Sequence, residues 1–317
     1  MASNAPGWNL PRAVRIVEVG PRDGLQNEPD PVPTADKLAY INQLAASGLS
    51  QIEVTSFVSP KAVPQLADAA ELVAQLPPTG AVTFSALVPN PRGLERALAA
   101  GVRRIAVFTA ASETFAEANI RMSIDRSLAV FTEVTREAAA AGVSVRAYLS
   151  TCFACPYSGP VAKDRVRALA ERLLEMGADE VAISDTLGSA VPTEIMETVG
   201  HCLARIPAGA LALHLHDTYG TALANVLAGL QLGITTFDGS SGGMGGCPFA
   251  PGATGNLATE DLIYLLEGMG IDTGVNLAGV AAAARRLAPL LSRPLPGRNY
   301  HRLVANPDGP ASASESR

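Results

Sequence analysis

The chain has 317 residues, 48% hydrophobic and 17% charged, with a net charge of −6, values that suit a soluble protein of one large domain or two ordinary ones. No run approaches the roughly eighteen apolar residues of a membrane helix, and no block of Lys or Arg marks a nucleic-acid partner. Met1 to Pro11 has neither a long apolar stretch nor an Arg-rich amphipathic pattern, and the cysteines are few (Cys152, Cys155, Cys202, Cys247), so a cytoplasmic protein with reduced thiols is expected.

After a loose Pro/Gly-containing start, Val14 to Val19 reads as a buried strand closed by Gly20-Pro21. Thr34 to Ser47 reads as a helix, with Thr34 as N-cap and Leu38, Ile41, Leu44 and Ala45 on one stripe. It stops at Gly48, and Gln51 to Thr55 follows as a strand. The same unit recurs: a helix, a glycine that can take a left-handed turn, then a short β-branched run. Further strands are expected at Ala81 to Leu87, Arg104 to Phe108, Val143 to Tyr148, Glu180 to Ser184, Leu211 to His216 and Thr235 to Asp238.

Alternating β/α units point to a parallel sheet, and eight of them can close a (β/α)8 TIM barrel. An open doubly wound sheet is the rival. Its Gly-x-Gly-x-x-Gly after strand one is missing, and Gly20-Pro-Arg-Asp-Gly24 stands there instead. The expected organisation is an N-terminal extension over 1–12, a catalytic barrel with C-terminal helices over 13–300, and a disordered tail over 301–317.

The active site of such a barrel gathers at the C-terminal ends of its strands. Arg22 and Asp23 follow strand one, Glu53 closes strand two, Asp185 closes strand six, and His214 and His216 end strand seven. On a strand, residues i and i+2 share a face, so His214 and His216 project together as half of a divalent-metal site. Asp23 and Asn256 supply oxygens to complete a mixed N/O set that suits Mg²⁺ or Mn²⁺. Gly239 to Gly255 holds seven glycines around Cys247, a loop in which a mostly protonated thiol can reach a carbanion. Neither phosphate-binding glycine pattern is complete there. Cys152-Phe-Ala-Cys155 lacks the second pair of a zinc site and reads as structural. His201 and His301 read as solvated. Together these parts suit aldol- or Claisen-type carbon–carbon cleavage: a metal polarises an oxygen, Arg22 stabilises an enolate, Asp23 accepts a hydroxyl proton and Cys247 protonates carbon.

The chain resembles the 3-hydroxy-3-methylglutaryl-CoA lyase family over about residues 13 to 291. The resemblance is carried by Val17-Glu-Val-Gly-Pro-Arg-Asp-Gly-Leu-Gln-Asn-Glu28, Thr55-Ser-Phe-Val-Ser-Pro60, His214-Leu-His-Asp-Thr-Tyr-Gly220, Gly245-Gly-Cys-Pro-Phe-Ala250 and Gly255-Asn-Leu-Ala-Thr-Glu-Asp261. It implies a metal-dependent barrel enzyme that splits the acyl-CoA into acetyl-CoA and acetoacetate, as in leucine and ketone-body metabolism, with a dimer common among similar enzymes. By matching positions it implies Asp23, His214, His216 and Asn256 as metal ligands, Arg22 at the thioester oxygen and Cys247 as the loop thiol. It also implies Gln26, Glu53 and Asp185 as supporting or substrate-binding groups, and Arg146, at the end of strand five, as a basic residue facing the acyl-CoA. Departures fall at Asn27-Glu-Pro29, Ser184-Asp-Thr186, Ser241-Gly-Gly-Met244 and Ser292-Arg-Pro294, where CoA affinity or the acyl pocket can change. A lyase for a related branched 3-hydroxyacyl-CoA, a Claisen synthase or keto-acid aldolase on the same barrel, and a non-catalytic binding barrel are the competing readings.

Overall fold

In the computed structural model, which describes residues 8–77, 80–246 and 255–305, each apolar run read as a strand becomes one. These are β1 (Arg15–Glu18), β2 (Gln51–Ser56), β3 (Thr83–Leu87), β4 (Arg104–Ala110), β5 (Ser144–Ser150), β6 (Glu180–Asp185), β7 (Leu211–Leu215) and β8 (Thr236–Gly239). They close in parallel in the order 1-8-7-6-5-4-3-2, a (β/α)8 barrel. Parallel neighbours require a crossover, and the helices supply it. Covered by helices outside and side chains inside, the strands are buried on both faces; all six residues of β6 are buried. The five helix-closing glycines, Gly48, Gly101, Gly142, Gly177 and Gly233, all sit at positive φ, between 68° and 106°, where an L side chain is strained.

Some expectations shift. The first helix, α1 (Thr34–Ala46), is entered through Pro33 and has no side-chain cap; the Thr34 hydroxyl donates instead to Asp68, 2.8 Å away. The buried stripe of α1 is Lys37, Tyr40, Ile41 and Leu44, with Leu38 and Ala45 only half-buried. Lys37 tolerates burial because its amine donates to Gln65 O and to Asp68 Oδ1, the latter at 2.8 Å. The last helix, Arg298–Ala305, runs past the boundary expected at 300, and 306–317 lie outside the described residues. Two features not expected from sequence are a small hairpin, Ala154–Cys155 with Gly159–Pro160, and one wide π-type turn, Gly20–Gly24, directly after β1. Its bonds run Gly24 N to Val19 O (3.3 Å) and Leu25 N to Gly20 O (3.1 Å). A Cβ at Gly20 would lie 2.5 Å from both Glu18 Oε1 and the Tyr40 hydroxyl, so only glycine lets the turn start there.

Under the barrel mouth two carboxyls, Glu18 and Glu260, are fully buried. Burial, opposed by the Gly242 N–H and reinforced by Glu18 and Asp261, pushes Glu260 up to about 8. The folded chain therefore keeps a proton that the unfolded chain loses above its ordinary value of 4.5. The sign follows: from pH 4.5 towards 8 the unfolded state binds fewer protons, so this group's contribution falls as pH rises, by about 1.4 kcal/mol per unit. Glu260→Gln, neutral throughout, should flatten the fall of the metal-free melting temperature between pH 6 and 8. An unchanged slope would show that Glu260 ionises freely in the folded chain.

Candidate active site

β7 brings His214 to the mouth, and His216 follows directly beyond it in a single bridge to Asn256. Their rings lie 5.2 Å apart with the Nε2 atoms separated by 3.2 Å, so the pair shares a face as its period-two spacing predicts. The π-type turn after β1 carries Asp23 to them. One ligand atom from each of Asp23, His214 and His216 lies within 4.8 Å of the others, an arrangement that could hold a metal ion.

The protonation states suit a cation. Asp238 Oδ2, 3.0 Å from His214 Nδ1, orients the ring so that Nε2 faces His216 Nε2, 3.2 Å away. Burial and the charge of His214, against the pull of Asp23, bring His216 down to about 4, so its imidazole is neutral at pH 7. Burial pushes the Asp23 carboxyl up, but Arg22 and the two histidines outweigh it and hold it well below the usual carboxylate range. Asn256 donates from Nδ2 to Asp23 Oδ2 (2.9 Å) and Met244 O (3.0 Å). Its buried Oδ1 has no hydrogen-bond partner among the described residues. An orphaned acceptor beside a carboxylate and two imidazoles is what an oxygen ligand looks like without its ion.

Arg22 lies in the same turn. It donates from Nε to Glu53 Oε1 and from Nη1 to Asp23 Oδ1, with its guanidinium 5.4 Å from the Tyr148 ring centroid. Burial alone would lower its pKa; Glu53, Asp23 and Tyr148 reverse that and keep it charged. Tyr148 donates to Glu53 Oε2 (3.2 Å) and meets His214 edge-on at 5.7 Å. The other face of the network is Arg146, which donates to Asp238 Oδ1 (2.6 Å), pairs with Glu180 Oε1 (3.1 Å) and stands 4.9 Å from the Tyr148 ring.

Two expected placements change, and a third residue keeps its place with a different set of contacts. Glu53 does not close β2, which continues to Ser56 past an irregularity between Glu53 and Thr55; its carboxylate sits inside the barrel on Arg22. Arg146 is the third residue of β5, not its end, and it faces two carboxylates below the site rather than the cavity. Asp185 does end β6, but its carboxylate accepts Ser189 N (3.2 Å) and Ala190 N (3.0 Å) and so ties down the next loop. Cys247 lies outside the described residues. Tyr148 and Asp238 were not singled out from sequence. For Asp238 a signal existed: β8 runs beside β7 with Phe237 opposite Leu213, which sets Asp238 beside His214.

The cluster opens into a cavity of about 550 Å³. Arg22, Asp23, Gln26, His214 and His216 form its polar side, while Leu87, Phe108, Phe115, Met122 and Phe131 are on the apolar side. Gly246, the last described residue before Cys247, also lines it and accepts a hydrogen bond from Asn27 Nδ2 at 2.8 Å. Two imidazoles, an anionic carboxylate and a fixed guanidinium around one mouth can bind an oxygen-rich substrate and stabilise negative charge that develops on it.

A family model described as HMGL-like matches residues 13–287. The chain belongs to that family. A hydroxymethylglutaryl-CoA lyase of Bacillus subtilis is 50% identical over 289 residues, 91% of this chain and 97% of the relative. The crystal structure of the B. subtilis HMG-CoA lyase superposes with a TM-score of 0.91 at 49% identity, covering 93% of this chain and 99% of that one. An HMG-CoA lyase from Acinetobacter baumannii, solved with coenzyme A and 3-methylmalate, gives a TM-score of 0.88 at 38% identity over 94% and 97% of the two chains. The HMGL-like match thus spans all eight strands and every described residue of the site.

Proposed function

We propose that this chain is a divalent-cation-dependent carbon–carbon lyase that cleaves 3-hydroxy-3-methylglutaryl-CoA to acetyl-CoA and acetoacetate. The observation that carries it is the convergence of Asp23, His214 and His216 within 4.8 Å, beside the buried Arg22–Glu53 pair, in a family whose curated members of about half-identical sequence are lyases of that substrate. Asp23, His214, His216 and the Asn256 amide oxygen would hold Mg²⁺ or Mn²⁺. When bound, that cation supplies polarisation of the substrate's hydroxyl and carbonyl oxygens.

The residues divide the remaining work. Asp23 is ionised and accepts the proton of the 3-hydroxyl. The oxygen's electron pair forms the new ketone of acetoacetate, and the C2–C3 bond breaks towards the thioester. Arg22 receives the enolate charge that appears on the thioester oxygen, and Glu53 and Tyr148 hold its guanidinium in place. Cys247 gives its thiol proton to C2 and completes acetyl-CoA. The cavity, lined by both polar and apolar side chains, would admit the acyl end of the CoA thioester. No helix among the described residues is long and apolar enough to cross a membrane, and we place the activity in the cytoplasm.

Incubation of the purified chain with Mg²⁺ and the thioester should release equal amounts of acetyl-CoA and acetoacetate. Release from another 3-hydroxyacyl-CoA but not from this one would overturn the substrate. Cys247→Ser should keep Mn²⁺ binding and lose about 10²–10⁴-fold in kcat; full turnover in that variant would remove the thiol from the proton transfer.

A further inference from the structure

Glu18 ends β1, is fully buried, and takes no part in the chemistry above. No basic side chain among the described residues offsets it, and its charged neighbour Asp238 has the same sign. A carboxyl is costly in such a place unless donors need it. It collects three, from three separate segments. Oε1 accepts the N–H of Gly20 (2.9 Å) and of Ser241 (2.8 Å), and Oε2 accepts the Thr259 hydroxyl (2.7 Å).

Each of those segments serves the site. Gly20 opens the turn that presents Arg22 and Asp23. Ser241 begins the glycine-rich segment that follows β8. Thr259 stands three residues after Asn256. Two backbone bonds lock the last two together, Ser240 N to Leu257 O (2.9 Å) and Thr259 N to Ser240 O (3.1 Å), and a third, Leu257 N to Leu215 O (2.9 Å), ties them to the strand of His214. Glu260 adds a hold on the Gly242 N–H at 2.7 Å, and the Tyr40 hydroxyl meets Ser241 Oγ at 2.5 Å.

We propose that Glu18 is a positioning residue for the cation site: its carboxyl pins the Arg22–Asp23 turn, the entry of the glycine-rich segment and the return that carries Asn256 to one point. Ligands from separate parts of the chain are thereby set before an ion arrives. The proposal rests on the cation reading of Asp23, His214, His216 and Asn256, and its test is built to separate the two.

The full chain and its Glu18→Ala, Glu18→Gln and Thr259→Val variants are titrated with Mn²⁺ alone, without substrate. Amide hydrogen exchange at Ser241 and Asn256 is followed in the metal-free proteins. Glu18→Ala should weaken Mn²⁺ binding about 10- to 100-fold and expose the Ser241 amide. Glu18→Gln can accept both N–H groups on its amide oxygen while its NH₂ donates to the Thr259 hydroxyl, so its affinity should stay within about threefold of the parent. Thr259→Val, nearly isosteric, should fall between them and keep the test alive if Glu18→Ala does not fold. Folded Glu18→Ala, or Thr259→Val in its stead, with parental Mn²⁺ affinity and Ser241 protection overturns the proposal. A parent chain that binds no Mn²⁺ overturns the cation reading itself, and with it the proposal.

Discussion

Arg22→Gln should lower kcat for 3-hydroxy-3-methylglutaryl-CoA by about 10²–10³-fold, the usual effect of removing one preorganised donor to an oxyanion. The guanidinium is wedged between Glu53 and Asp23 and backed by the Tyr148 ring, so it needs little reorganisation as charge develops. Glutamine loses both the charge and the fork. It also leaves the Glu53 carboxylate, 1% exposed, with the Tyr148 hydroxyl as its remaining contact in the network, and breaking a buried pair costs about 3–5 kcal/mol. Two effects are thus mixed in one variant, and a second substitution separates them. Adding Glu53→Gln removes the stranded charge, so the double variant should regain most of the melting temperature and none of the turnover. If turnover returned with stability, Arg22 would be a structural residue and the enolate would need another partner. Arg22→Lys keeps the charge without the planar fork and should fall between the parent and Arg22→Gln.

The contrast between what the residue pattern foretold and what it hid has a physical basis. Strand periods and helix-closing glycines are local properties, so the eight strands were placed within two or three residues, and the period-two histidines shared a face as expected. Asp23 and Asn256 were also legible, because they lie where a barrel gathers its loops. Depth along a strand was not. Glu53 and Arg146 were assigned to strand ends, yet β2 and β5 extend beyond them, which lowers both side chains into the barrel. Asp238 and Tyr148 act through neighbours 24 and 95 positions away, His214 and Glu53, contacts set by barrel closure and strand register. Glu18 was hidden for the same reason: a charge within a buried strand has no meaning until the donors that surround it are known. Thr34 shows a local rule overridden, since its hydroxyl finds Asp68 across the fold instead of capping its own helix.

Arg146→Met should reveal what that arginine serves. Were it a contact to the acyl-CoA, the loss would appear in KM while metal binding stayed normal. The geometry gives the opposite expectation. Arg146 bonds Asp238, Asp238 bonds His214, and His214 turns its Nε2 to His216 at the mouth. Burial pushes the Asp238 carboxyl up, and Arg146 together with His214 overcomes that and holds it down. Methionine withdraws that support and leaves Asp238 buried with only the imidazole beside it. The His214 ring then loses its anchor, so Mn²⁺ affinity should fall about 10- to 100-fold and stability by about 3–5 kcal/mol, with KM at saturating metal close to the parent value. Glu180 keeps Arg15 and Arg104 as partners, so the damage should centre on Asp238. Combining Arg146→Met with Asp238→Asn tests this directly: the amide oxygen can still accept from His214 Nδ1, and no unpaired charge remains. The double variant should recover much of the lost stability and part of the Mn²⁺ affinity. A rise in KM with unaltered metal binding in Arg146→Met would instead return the arginine to the substrate.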